Sequence, residues 1–181
     1  CTTHLAESPA EVDFLRDSSG DLAARMYPFV GWDYLLPEPM KMSPAAYLHH
    51  HAGLFPDNLL VHGVQLQPEE IALLAGQGST VVLCPRSNAR LDVGVAPVAA
   101  LRQAGVNLCL GTDSLASNDS LSVWDEMAFA RTWFGADLDA PALWRMATLG
   151  GAEALGCQDR LGSLKVGRLA SFQVLRTQSA L

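Results

Sequence analysis

No apolar run in the 181 residues approaches the ~20 that a membrane-spanning helix needs, so the sequence offers no transmembrane helix. Cysteine is scarce: Cys1, Cys84, Cys109 and Cys157 stand far apart, with no CxxC pair among them. That spacing excludes a disulfide framework or a cysteine-built zinc site, and reduced thiols in a cytoplasmic protein are the expected state. Positive charge is also thin. Twelve Lys and Arg against nineteen Asp and Glu leave a formal net charge of -7, and the basic residues are scattered singly. A nucleic-acid polymer is therefore excluded as a partner, although a nucleoside remains eligible as a small molecule. The first residues show no charged segment followed by an apolar one, so no secretory signal peptide is expected in them. There is no initiator Met either, and the expectation is that the chain starts inside a longer protein.

What is present suits an enzyme-like domain: 49% hydrophobic and 17% charged residues. Three runs have strand character, Leu59 to Val64 (LLVHGV), Thr80 to Cys84 (TVVLC) and Val106 to Gly111 (VNLCLG). All are nearly continuous apolar runs, as expected of parallel strands buried on both faces. Helical segments lie between them. Pro68 to Ala75 (PEEIALLA) opens with Pro and has Glu in its first turn, and Val95 to Ala104 stops at Gly105. The rhythm is βαβ, which both a doubly wound sheet and a (β/α)8 barrel produce. A doubly wound nucleotide-binding domain would want a glycine-rich loop after its first strand, and HGVQLQPEE (His62 to Glu70) is none. Ser8 to Arg16 is expected as a capped helix, with Ser8 as N-cap, Pro9 first and Glu11 three after the cap. The stretch from Tyr27 to Ser43 is expected to be a loop or irregular insertion. Further helices are expected around Leu121 to Phe134, Ala140 to Ala147 and Gly151 to Leu155. The tail, Leu161 to Leu175, is expected to form two short strands around a Gly turn.

The polar groups at the strand ends carry the chemistry. His62 lies near the end of the first full strand, and Asp113 follows the third in LGTDS. His4, with Glu7 three residues on, stands just before the first helix, where another strand would end. Each has an ordinary alternative: a core histidine for His62, a turn or cap residue for Asp113, nothing in particular for His4. Jointly, His, His and Asp at three successive strand ends converge on the face where parallel α/β barrels keep their active sites. These donor types suit Zn²⁺ or Fe²⁺.

Taken together, HLAES (His4 to Ser8), LLVHGV, CPRSNARL (Cys84 to Leu91) and GTDSLASNDSL (Gly111 to Leu121) resemble the amidohydrolase superfamily. The resemblance is to its deaminase and chlorohydrolase branch: methylthioadenosine/S-adenosylhomocysteine, aminodeoxyfutalosine and guanine deaminases, and triazine hydrolases. It implies an α/β fold, the C-terminal portion (about strands 5 to 8) of a TIM barrel, over residues 1–158. Residues 159–181 would return to a small flanking β-sandwich, with Ser171 where the family's GRxAD motif has its acid. The implied chemistry is hydrolytic deamination of an aminated heterocycle or nucleoside derivative by a metal-activated hydroxide, with one Zn or Fe ion. His4 matches a metal ligand, and Asp113 matches a metal ligand that is also the general base. Glu7 matches the carboxylate that shuttles protons to the leaving amino group and contacts substrate. His62 matches the catalytic histidine that orients the attacking oxygen. Asn88, Ser114 and Asn118 are candidates for substrate binding, with bracing of the loops as the alternative for both asparagines, and structural roles open for Ser114 and Ser117. A small-molecule substrate is implied, and a homodimer is compatible with the resemblance.

The family's remaining two ligands form an HxH pair at the end of the first barrel strand, and no such pair stands here. His49 and His51 have that spacing but sit in AAYLHHHAGLF, between strands, where an exposed helix face is the expectation. Without the pair, a non-catalytic remnant is the rival reading. Hydrolytic dechlorination and binuclear cyclic amide hydrolysis are the rivals within the superfamily. An HxH about 130 to 150 residues upstream of His4 would restore the enzyme, a distance estimated from barrel-sized repeats. The working protein is accordingly expected to be longer than this chain. Intact-mass measurement of the active protein checks this, and an active species of only 19.4 kDa would overturn it.

Overall fold

The computed structural model describes residues 1–175. Its centre is a four-stranded parallel sheet of β1 (Thr2–Leu5), β2 (Leu59–His62), β3 (Thr80–Leu83) and β4 (Asn107–Leu110), ordered β1-β2-β3-β4. Strict chain order is the winding of a (β/α)8 barrel wall; a doubly wound sheet reverses its strand order. The sequence rhythm left that choice open. The register is continuous, with His4 opposite Val61 and Val82 opposite Cys109.

The helices follow the strands. α1 (Pro9–Asp17) and a single turn, α2 (Tyr27–Phe29), precede α3 (Pro44–His50). After β2 comes α4 (Pro68–Gln77), then α5 (Pro85–Arg90) and α6 (Val98–Gln103) around the second crossover. After β4 come α7 (Val123–Trp133), α8 (Ala140–Ala147) and α9 (Leu149–Ala154). Sequence signals explain the starts. Ser8 accepts from the Glu11 N–H at the head of α1, Ser122 from Asp125 N–H at α7, and Asp139 from Ala142 N–H at α8. At α4 Gln67 and Glu70 form a capping box, and buried Glu70 also accepts the N–H of Ala45 at 2.9 Å, joining α3 to α4. Residues 27–43 are mostly irregular as expected, with only α2 and a 3-10 turn at Asp33–Leu35.

The core lies between the sheet and its helices. Leu60, Val81, Leu83 and Leu108 from the strands meet Ile71, Leu74, Val98, Leu101, Leu143 and Met146 from the helices. The four cysteines are free thiols, and burial pushes Cys84 up to about 12 and Cys109 to about 11, which makes both unreactive. No helix among the described residues is long and apolar enough to cross a membrane.

One expectation is corrected. Residues 161–175 form turns and extended chain, with the turn at Gly167, and no strand. Leu164, Val166, Phe172 and Val174 carry the apolar pattern of strands but are exposed. A strand needs a partner for its backbone groups, and this segment pairs with no strand of the sheet. The last part of the expected return, residues 176–181, lies outside the described residues.

Leu74 and Leu83 are fully buried, so Leu74→Ala or Leu83→Ala is expected to destabilise the fold by about 2–5 kcal/mol in denaturant unfolding. Leu164→Ala, at an exposed site, should stay within about 0.5 kcal/mol.

Candidate metal centre

Three side chains converge where β1 and β2 end. His4 is the third residue of β1, and Glu7 follows on the turn into α1. Glu7 reaches both histidines: its Oε2 lies 3.5 Å from His4 Nδ1 and its Oε1 lies 3.5 Å from His62 Nε2. The two imidazoles meet edge to face with centroids 4.6 Å apart. Ligand atoms of His4, Glu7 and His62 all lie within 4.8 Å of one another.

His62 is completely buried, and its Nε2 has no hydrogen-bond partner. Its other nitrogen, Nδ1, donates to Asn88 Oδ1 at 2.8 Å, which leaves a lone pair on Nε2 facing the cluster. A buried acceptor without a partner is destabilising unless something else completes it. Two imidazoles and a carboxylate around such an atom are the donors that Zn²⁺ takes, so the residues fit a metal.

Asp113 follows β4 in left-handed backbone, φ 57°, and His62 ends β2 at φ 79°. Asp113 Oδ2 accepts hydrogen bonds from Ser87 Oγ (2.8 Å) and Ser117 Oγ (2.7 Å). Partial burial alone would raise its pKa. Hydrogen bonds from Ser117, Ser87 and the Ser114 backbone, aided by His62 whenever that ring is protonated, outweigh that and hold it below the usual 3.8. Asp113 thus stands beside the His4–Glu7–His62 group and within electrostatic reach of it, without sharing its close contacts.

The other expected residues divide. Asn88 and Asn118 are buried, and the side chain of each bonds within the protein, Asn88 Oδ1 with His62 Nδ1. Asn118 Nδ2 donates to Thr112 O and to Glu126 Oε1, each at 2.7 Å. Ser114 is exposed on the loop after Asp113, and Ser117 is buried against that acid. His49, His50 and His51 are exposed at the end of α3, away from the cluster.

The structure adds residues that pattern reading passed over. Ser87 is signalled only by its place before Asn88 in CPRSNARL. Glu126, on α7, is fully buried and accepts from Arg86 N–H at 3.3 Å as well as from Asn118. Burial pushes its pKa up despite those bonds. It ties the loop after β4 to the first turn of α5. Nothing in VWDEMAF separates it from an ordinary acid in a helix's first turn.

The model of the amidohydrolase family matches residues 2–180. A 5-methylthioadenosine/S-adenosylhomocysteine deaminase of Teredinibacter turnerae is 48% identical over 117 residues, covering 61% of this chain and 26% of that protein. An aminodeoxyfutalosine deaminase of Deinococcus radiodurans is 37% identical over 158 residues, 84% of this chain and 38% of that protein. The crystal structure of an adenosine deaminase from Xanthomonas campestris with bound zinc superposes with a TM-score of 0.72 at 34% identity, over 93% of this chain and 35% of that one. The chain therefore spans between 26% and 38% of the length of these similar proteins.

Because the folded-state pKa of Asp113 is lowered, the unfolded chain takes up its proton first as pH falls. Its stabilising contribution is complete above the unfolded value, about 3.9, and is lost as pH drops through the folded value. Ser117→Ala removes the largest lowering contribution, so melting temperatures recorded from pH 6 down to pH 2 should fall less steeply in the variant. A parallel profile would contradict the assignment.

Proposed function

Since the chain belongs to the amidohydrolase family, we propose that it carries the acid–base residues and part of the metal site of a hydrolytic deaminase acting on an aminated heterocycle or nucleoside derivative. The observation that carries this reading is Glu7 lying between His4 and His62, with Asp113 after β4 tied to His62 through the adjacent Ser87 and Asn88. The named activities of the Teredinibacter and Deinococcus proteins support the substrate class, and the zinc-bearing Xanthomonas structure supports zinc.

One zinc ion would be held by His4 and Asp113, with the free Nε2 of His62 beside it. When bound, such an ion supplies Lewis acidity and brings the pKa of a water from 15.7 to about 7. The rest falls to side chains. Asp113, kept ionised by Ser87 and Ser117, accepts the proton of the attacking water. His62, fixed by Asn88, holds the attacking oxygen through Nε2. Glu7 delivers a proton to the departing nitrogen, so water adds at the ring carbon, the carbon–nitrogen bond breaks and ammonia leaves. Ser114, exposed beside Asp113, would contact the substrate.

Ammonia release from a panel of adenine nucleosides and 5′-thioether derivatives, with zinc content measured alongside, tests the reading. The expected result is about one zinc per chain and turnover that falls about 10²–10⁴-fold in Glu7→Gln. Zinc-loaded protein that releases chloride from chlorinated triazines but no ammonia would move the chemistry to dechlorination. Glu7→Gln turning over like the parent would remove Glu7 from its role.

A further inference from the structure

The turn that presents Glu7 is unusual for the residues that make it. Ala6 is buried and takes φ 52°, a left-handed conformation, without the side-chain oxygen that lets Asn or Asp adopt it easily. The carbonyls of the turn face β2 and the segment after it: Leu5 O accepts from Gly63 N at 3.0 Å and Ala6 O from Gln65 N at 2.7 Å. The N–H groups of Ala6 and Glu7 point the other way, side by side, and form the small concavity that binds anions in such turns. A single carboxylate fills it. Glu11 Oε1 accepts the Ala6 N–H at 2.8 Å, and Glu11 Oε2 accepts the Glu7 N–H at 2.8 Å. Glu11 is itself locked by the head of α1, where its own N–H donates to Ser8 Oγ at 3.3 Å. A capping glutamate ordinarily bonds the cap residue's own N–H; here it reaches further back, to the residue whose side chain sits between the histidines.

We propose that Glu11 is a positioning residue for Glu7: its carboxylate, chelating the Ala6 and Glu7 N–H groups, sets where the Glu7 carboxylate stands relative to His4 and His62. The catalytic consequence rests on Glu7 being the proton shuttle; the structural assignment of the turn does not. Both oxygens of Glu11 are engaged, so the size and the charge of residue 11 make separate predictions. Glutamine keeps the length but turns an NH₂ donor towards an N–H. Aspartate keeps the charge but is a methylene too short to chelate both groups.

Glu11→Gln and Glu11→Asp, made in the protein with its metal, distinguish these. Peptide-level hydrogen exchange over residues 4–9 is expected to rise by about tenfold in both variants, the loss anticipated for a hydrogen bond to a charged group. Ammonia release should show kcat down by about 10- to 100-fold, because a small displacement of a reacting group is enough for that loss. KM should stay within about threefold, since ground-state binding is retained. Full activity in Glu11→Asp would mean that only the charge matters and would overturn the proposal. So would unchanged exchange at Ala6 and Glu7 in Glu11→Gln. If the unsubstituted protein releases no ammonia, the reading of the reaction fails. Exchange alone then decides the turn: protection lost in Glu11→Gln upholds the assignment, and protection kept overturns it.

Discussion

The hydrogen bonds made by two adjacent side chains at the head of α5 hold the site together. Ser87 donates to Asp113 and Asn88 accepts from His62, so one helical turn sets the acid after β4 and the histidine of β2 at once. Neither strand contributes that relation by itself, because β3 lies between them in the sheet. α5 is fixed in turn. Pro85 begins it directly after β3, and α7 packs against it, with the Glu126 carboxylate on the Arg86 N–H. The same carboxylate holds Asn118, which holds the Thr112 carbonyl next to Asp113. A displacement of α7 would therefore reach Asp113 by two routes.

Such bracing has work to do, because the backbone at these strand ends is not relaxed. Ala6, His62 and Asp113 all adopt positive φ, without being glycine. Backbone of this kind costs of order 1–3 kcal/mol per residue and persists only where its surroundings over-determine it. Each of the three has that surrounding: the Glu11 chelate at Ala6, Asn88 at His62, two serine hydroxyls at Asp113. Sharp left-handed exits lift the side chains out of the strand's alternating pattern.

Much of this was legible in the sequence, and the part that was not has a common cause. Parallel strands buried on both faces wrote themselves as LLVHGV, TVVLC and VNLCLG, and proline with early acids marked the helix starts. His4, Glu7, His62 and Asp113 could be picked out because a polar residue at the end of an apolar run is conspicuous. Ser87, Glu11 and Glu126 could not, since each looks like an ordinary helix-start residue until its distant partner is known: 26 residues away for Ser87 and 40 for Glu126. Glu11 is a subtler case. Its partners are local, yet the capping pattern that reveals it also suggests a different hydrogen bond. The tail shows the converse, a strand pattern without a neighbouring strand. The winding of the sheet was undecidable for the same reason, because strand order is a long-range property.

The asymmetry within the cluster bears on how a metal would be bound. His62 is wholly buried and held through Nδ1, and Asp113 is held by two hydroxyls. His4, on β1, is joined to the same group by Glu7, 3.5 Å from its Nδ1, and by the edge-to-face contact with the His62 ring. Of the two residues that would hold an ion, His4 and Asp113, the acid is already oriented by Ser87 and Ser117. The strength of binding should then depend on the bracing of Asp113 from α5 as well as on the ligands themselves. Glu7 bridges the two histidines, and the turn that carries it is closed by the carboxylate of Glu11.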